Sequence, residues 1–174
     1  TKKQLVNTPL EFGIEVDIRS NGDQLYMHHD PFQNGENFED WLKLYNHAIL
    51  ILNVKEEGLE SRLISLMKKY DIDDYFFLDQ SFPFLVKTAK NNEKRCAIRV
   101  SEFENIETAM SLAGKIDWIW VDCFTRFPLT RKDAKSPELQ GRTDIEHVKE
   151  FVQNIETLGI KGDAVCTKYP ELWD

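Results

Sequence analysis

GIEVDIRSNGDQLYMHHDPF, residues 13–32, contains the strongest structural signal in this 174-residue sequence. Its first half alternates apolar and charged residues with the period of a β-strand, which places Glu15 and Asp17 on the same face. Asn21-Gly22 is typical of a hairpin turn, and the residues after it again have strand character. We therefore expect the return strand to bring His29 close to Asp17.

The charged face of this strand predicts a site for a hard cation. Two carboxylates that lie two residues apart on one strand face can hold a divalent ion, because Mg²⁺ and Ca²⁺ prefer oxygen ligands. A neighbouring His29 could exchange a proton with a reacting group, since its reference pKa is near ~6.5. The simpler alternative is a buried ion-pair network of Glu15, Asp17, Arg19 and Lys55 that has no catalytic purpose.

Four short segments resemble the glycerophosphodiester phosphodiesterase family. Residues 15–17, Glu-Val-Asp, and residues 29–31, His-Asp-Pro, match two family motifs in the same order. Residues 53–55, Asn-Val-Lys, are similar to the family's Glu-x-Lys strand, and residues 163–170 are similar to its final strand, which usually ends in Thr-Asp-x-Pro. The family's first strand ends in His-Arg-Gly, which supplies a second catalytic histidine, and residues 1–12 contain no such motif.

The resemblance implies a function and a set of site residues. It implies Mg²⁺ or Ca²⁺ bound by Glu15, Asp17 and Asn53, where the family has a glutamate at the third position. It also implies that His29 transfers protons and that Lys55 contacts the phosphate, so that both are catalytic. The implied reaction is metal-dependent hydrolysis of a small phosphodiester, similar to a glycerophosphodiester, to a phosphomonoester and an alcohol.

Two alternatives stay open at this point. The chain could be a catalytically weakened barrel or pseudoenzyme that binds a phosphorylated sugar or polyol, because one histidine motif is missing and Asn53 carries no charge. It could also perform a lyase-type intramolecular transfer on the same scaffold.

Strand-like and helix-like runs alternate along the sequence, which is the pattern of a parallel α/β architecture. We predict a TIM-barrel-like parallel (β/α) barrel that is short or incomplete and has no sizeable insertion domain, since a full barrel typically needs ~200 residues or more. The predicted strands are 13–19, 49–55, 75–79, 96–101, 118–124 and 163–167. The predicted helices are 38–46, 59–70, 82–90, 102–112 and 143–158, and residues 127–142 contain no apolar run long enough for a strand.

Further polar residues lie where such a barrel would bind its substrate. Asp79, Arg99 and Asp122 are at the C-terminal ends of predicted strands, where barrel active sites are built. Arg19 lies on the charged face of the first strand, and Arg142 lies in a polar loop that could cover a substrate. We predict that these five residues bind the substrate.

Composition limits the classes of protein to consider. With 174 residues, of which 41% are hydrophobic, the chain can form one globular domain over residues 1–174. The net charge of −8 disfavours nucleic acid as a partner.

No run of ~18 apolar residues predicts a membrane span, and no signal peptide is evident. Three cysteines in strand-like runs indicate reduced thiols and a cytoplasmic location. The oligomeric state cannot be predicted from these features.

Overall fold

The computed structural model describes residues 1–122, 124, 125, 128, 149, 152, 153, 156, 157, 159 and 162–167. The strands β1, β2 and β3 follow one another without a helix between them, whereas strands and helices alternate from β4 onward. The elements are α1 (Lys2–Asn7), β1 (Ile14–Asn21), β2 (Gln24–Met27), β3 (Glu36–Asn37), α2 (Phe38–Leu42), β4 (Leu50–Val54), α3 (Glu60–Lys69), β5 (Tyr75–Leu78), α4 (Phe82–Lys90), β6 (Ala97–Val100), α5 (Ile106–Met110) and β7 (Trp118–Val121).

The strands form two sheets. The larger sheet has the order β3-β2-β1-β4-β5, in which β1, β4 and β5 are parallel and β2 and β3 are antiparallel to their neighbours. The smaller sheet pairs β6 with β7 in parallel. A single parallel bridge joins Phe77 of β5 to Cys96, just before β6.

The prediction of a TIM-barrel-like fold is wrong, because the described residues form a five-stranded mixed sheet and a two-stranded sheet but no closed barrel. The physical reason lies in the hairpin at Asn21-Gly22. This turn places β2 antiparallel on one edge of β1, and β3 then extends the sheet on that side. In a (β/α) barrel that edge of β1 would have to receive a parallel strand instead.

The chain divides into two compact units. One comprises Thr1–Ile98 and Leu112–Ile119, and the other comprises Arg99–Ser111 and Trp120–Asp174. The prediction of one domain over residues 1–174 stays a prediction.

The core lies on the apolar face of the parallel strands. The residues Val16, Leu52 and Phe77 are register partners on β1, β4 and β5, and Leu52 and Phe77 are fully buried. Apolar residues of the helices complete this core, including Phe38, Trp41, Leu63, Met67 and Leu85. On β1 and β4, the site residues Glu15, Asp17 and Asn53 alternate with the apolar positions, so the sheet presents them on its opposite face.

Most predicted elements of residues 1–122 are confirmed, with shifted ends. The predicted helix 82–90 coincides with α4, and helix 59–70 corresponds to α3. Helix 102–112 is wrong in its extent, because only Ile106–Met110 are helical. The predicted strand 163–167 is wrong, because these residues carry no strand. The predicted helix 143–158 and the segment 127–142 lie largely outside the described residues.

Two further findings concern membranes and thiols. None of the helices in the described part of the chain is long and apolar enough to cross a membrane. Cys96 is a buried free thiol and Cys166 is exposed, whereas Cys123 lies outside the described residues.

Candidate functional site

Polar side chains of β1 meet others at the carboxyl ends of the parallel strands β4 and β5. Asp17 of β1 and Asn53 of β4 are direct register partners, and Glu15 lies two residues before Asp17 on the same face. Lys55 follows β4 and Asp79 follows β5. Asp79 has a backbone φ of 60°, a left-handed conformation that aspartate tolerates better than most residues. The carboxyl ends of parallel strands are the usual location of ligand sites in α/β sheets.

Asn53 is buried in the middle of this cluster. Its Nδ2 donates a hydrogen bond of 2.6 Å to Oε1 of Glu15. Its Oδ1 is also buried but accepts no hydrogen bond from the described residues. An unpaired buried amide oxygen costs free energy, so it marks a position where a donor or a cation would be stabilised.

Lys55 forms ion pairs with one carboxylate on β1 and one that follows β5. Its Nζ lies 3.3 Å from Oδ1 of Asp17 and 3.1 Å from Oδ2 of Asp79. The side chain of Lys55 is 16% exposed, and those of Asp17 and Asp79 are 28% and 20% exposed. The ammonium group is therefore largely withdrawn from bulk water and held between two carboxylates.

Glu15 has a pKa raised above its ordinary value. Although the residue is exposed, the protein around its carboxylate displaces enough water to disfavour the charged form, and the negative charge of Asp17 acts in the same direction. The hydrogen bond from Asn53 and the positive charges of Lys55 and His29 lower the pKa and oppose this shift. The influence of His29 on Glu15 shows that the predicted proton carrier lies within electrostatic range of the carboxylate cluster.

His29 is oriented by the residue that follows it. Its Nδ1 donates to Oδ1 of Asp30 over 2.8 Å, and this hydrogen bond lowers the pKa of Asp30. Because Nδ1 carries the proton, Nε2 of the neutral ring is the basic nitrogen. The His29 side chain is 71% exposed, so solvent reaches it. Sequence reasoning assigned no role to Asp30, although its position directly after the histidine was a usable signal.

The five residues predicted to bind substrate fall into three groups. Arg19 donates to the backbone carbonyls of His29 and Lys55, and Asp79 contacts Lys55. Arg99 and Asp122 belong to the second unit, where they form an ion pair of 3.3 Å. Burial raises the pKa of Asp122, and the charge of Arg99 partly offsets that effect. Arg142 lies outside the described residues.

The predicted metal ligands offer oxygen atoms only. Glu15 and Asp17 supply carboxylates and Asn53 supplies the unpaired Oδ1, a set that suits Mg²⁺ or Ca²⁺ better than softer metals. The set is small, since no group of three or more His, Cys, Asp or Glu side chains in the described part of the chain is arranged to bind a metal ion. The residues present fit a hard cation that keeps several of its own water ligands.

Comparison with family models, with curated proteins and with solved structures gives no match for this chain. Any assignment of function must therefore start from the residues of the site.

Proposed function

We propose that this protein hydrolyses a small phosphodiester in a reaction assisted by Mg²⁺ or Ca²⁺. The observation that carries the proposal is the cluster formed by residues of β1 and by the ends of β4 and β5. There, three carboxylates (Glu15, Asp17 and Asp79) outnumber the two cationic side chains, Lys55 and Arg19. An anionic phosphate would be repelled by such a cluster unless a further cation were bound.

The residues of the cluster and His29 would each have a separate role in the reaction. Glu15, Asp17 and Asn53 would hold the cation. When bound, it would withdraw charge from a non-bridging phosphate oxygen. Lys55 would approach the phosphate with its ammonium group, which is fixed by two carboxylates. Nε2 of His29 would accept a proton from the attacking water as the new P–O bond forms. The bond to the leaving alcohol would break at the same time, and solvent water would supply the proton to its oxygen. The products are a phosphomonoester and an alcohol.

Hydrolysis of glycerophosphodiesters tests this proposal. The assay measures release of glycerol 3-phosphate from a panel of glycerophosphodiesters with Mg²⁺ or Ca²⁺. Loss of a general acid or base typically lowers the rate by ~10² to 10⁴, so we expect His29→Ala to lower kcat by this factor. His47→Ala is the matched control, because His47 precedes β4, at the end of the strand opposite Lys55.

Equal rates for the parent and His29→Ala would contradict the hydrolytic proposal. The second candidate is a phosphate-binding pseudoenzyme for a phosphorylated sugar or polyol, and the neutral amide of Asn53 in place of a third carboxylate favours it. Calorimetric titration with glycerol 3-phosphate in the presence of Mg²⁺ would then show binding without turnover.

The cellular location belongs to the same proposal. We expect the protein to act in the cytoplasm, where a reducing environment would keep the buried thiol of Cys96 reduced.

A further inference from the structure

Arg19 makes three hydrogen bonds, all of them to backbone carbonyl oxygens. Its Nε and Nη2 donate to the carbonyl oxygen of His29 over 3.0 and 2.8 Å. Its Nη1 donates to the carbonyl oxygen of Lys55 over 3.1 Å. One guanidinium group thus connects the two residues that we propose as the catalytic base and the phosphate-binding cation.

These bonds reach two segments that lie just outside the paired strands, since β2 ends at Met27 and β4 at Val54. The pairing of β1 with β4 ends at Ile18, opposite Val54, and the pairing with β2 runs from Asn21, opposite Gln24, to Ile18, opposite Met27. One further backbone bond follows on each side, from the N–H of His28 to Asp17 and from the N–H of Lys55 to Ile18. The side chain of Arg19 adds bonds from β1 to both flanking segments, at His29 and Lys55, and Ser20 adds one to Glu56 on the β4 side.

We propose that Arg19 is a positioning residue, which holds the His29 loop and the end of β4 at a fixed separation so that His29 and Lys55 act on the same phosphodiester. The inference rests on the proposed function and deepens it. Three N–H groups of Arg19 are directed to protein carbonyls, which differs from the substrate contact that the sequence predicts. Only a planar guanidinium can bridge the two carbonyls in this way, because a lysine ammonium is a point charge without the fork geometry.

The test compares Arg19→Gln and Arg19→Lys with the parent chain. We expect both variants to lower the backbone order parameters of His29 and Lys55 in ¹⁵N relaxation from ~0.85 toward ~0.6, the range of flexible segments. In the hydrolysis assay, both should lower kcat by ~10- to 100-fold while KM changes little, because small misplacements of reacting groups have effects of this size.

Arg62→Gln is the matched control. Arg62 also donates to two backbone carbonyls, those of Gly22 and Asp23, but these belong to the hairpin turn. This variant should leave the order parameters of His29 and Lys55 unchanged, which separates positioning from a general loss of arginine–carbonyl bonds. If Arg19→Gln does not fold, Arg19→Lys supplies the same measurements with the charge retained.

Two results would overturn the inference. One is that His29 and Lys55 stay as rigid in both variants as in the parent. The other is that Arg19→Lys keeps the parent kcat whereas Arg19→Gln raises KM alone, which is the behaviour of a substrate contact. The relaxation measurement needs neither substrate nor metal. If no phosphodiester is hydrolysed, the proposed function fails, and the rigidity of His29 still decides whether Arg19 positions it.

Discussion

Lys55 determines the charge balance of the candidate site. Asp17 is both an ion-pair partner of Lys55 and a proposed ligand of the divalent cation. A metal ion that binds Asp17 must therefore share that carboxylate with a neighbouring ammonium group, and the two positive charges repel each other. Asp79 gives Lys55 a second partner at 3.1 Å, so the ammonium can stay in the site when a cation binds.

Lys55→Met should bind Mg²⁺ or Ca²⁺ more tightly than the parent while its kcat falls. Partly exposed ion pairs contribute up to about 1 kcal/mol, so we expect a gain in affinity of up to ~5-fold by calorimetry. Lys43→Met makes the same change in net charge at an exposed residue paired with Asp40 and should leave the affinity unchanged. Weaker cation binding by Lys55→Met would show that Lys55 and the cation do not compete for Asp17.

At the scale of the elements, the loop between α4 and β6 is held by one paired arginine. Arg95 donates from Nε and Nη2 to the two carboxylate oxygens of Glu93, each over 2.8 Å, and its backbone N–H donates to Glu93 over 3.0 Å. The guanidinium carbon also lies 4.1 Å from the centre of the Tyr75 ring on β5. The bonds to Glu93 therefore fix Arg95 within the loop, and its contact with Tyr75 connects the loop to the parallel sheet.

Glu93→Gln should destabilise the protein at neutral pH but not in acid. Burial alone would raise the pKa of Glu93, but the side-chain and backbone bonds from Arg95 bring it below the ordinary value of 4.5. A depressed pKa stabilises the fold above the ordinary pKa, and this contribution disappears as the pH falls through the lower folded value.

We expect Glu93→Gln to lower the free energy of unfolding by about 1–2 kcal/mol at pH 7, as is typical of hydrogen bonds to charged groups. Denaturant unfolding at pH 7 and at progressively lower pH measures the difference, which should shrink below pH 4.5. Glu57→Gln, at an exposed residue, is the control. A difference that is independent of pH would contradict the role of the carboxylate charge.

For the whole molecule, stability depends on the apolar face of the sheet, opposite the site. Leu52 lies on the central part of β4 and is fully buried, and its register partner Phe77 is also fully buried. The charged face on the other side contributes less to stability, because its carboxylates repel one another. The burial of apolar side chains elsewhere must offset this repulsion.

Leu52→Ala should therefore lower the free energy of unfolding by about 2–5 kcal/mol, the usual effect of a cavity in a packed core. Leu44→Ala is the same chemical change at a residue that is 49% exposed, and it should stay within about 0.5 kcal/mol of the parent. Denaturant unfolding compares the two variants. Equal losses for both would mean that the apolar face of β4 does not form the core.

The sequence by itself determined most strands and helices through residue 122, though not α1 or β3, and it determined which residues of β1 share a face. Such patterns are local, because a period of two or 3.6 depends only on neighbours along the chain. The same alternation placed Glu15 and Asp17 on one face, and the Asn21-Gly22 turn returned the chain so that the His28 N–H bonds to Asp17.

Only the tertiary structure decided how the strands assemble and how the site residues are used. Whether a sheet closes depends on which strand occupies each edge, and at β1 the antiparallel hairpin takes that place. The sequence shows that Arg19 and Asp79 are charged, but it does not predict which groups they contact. Arg19 contacts the carbonyls of His29 and Lys55, and Asp79 contacts the ammonium of Lys55. These partners lie far along the chain or in its backbone, where side-chain periodicity carries no information.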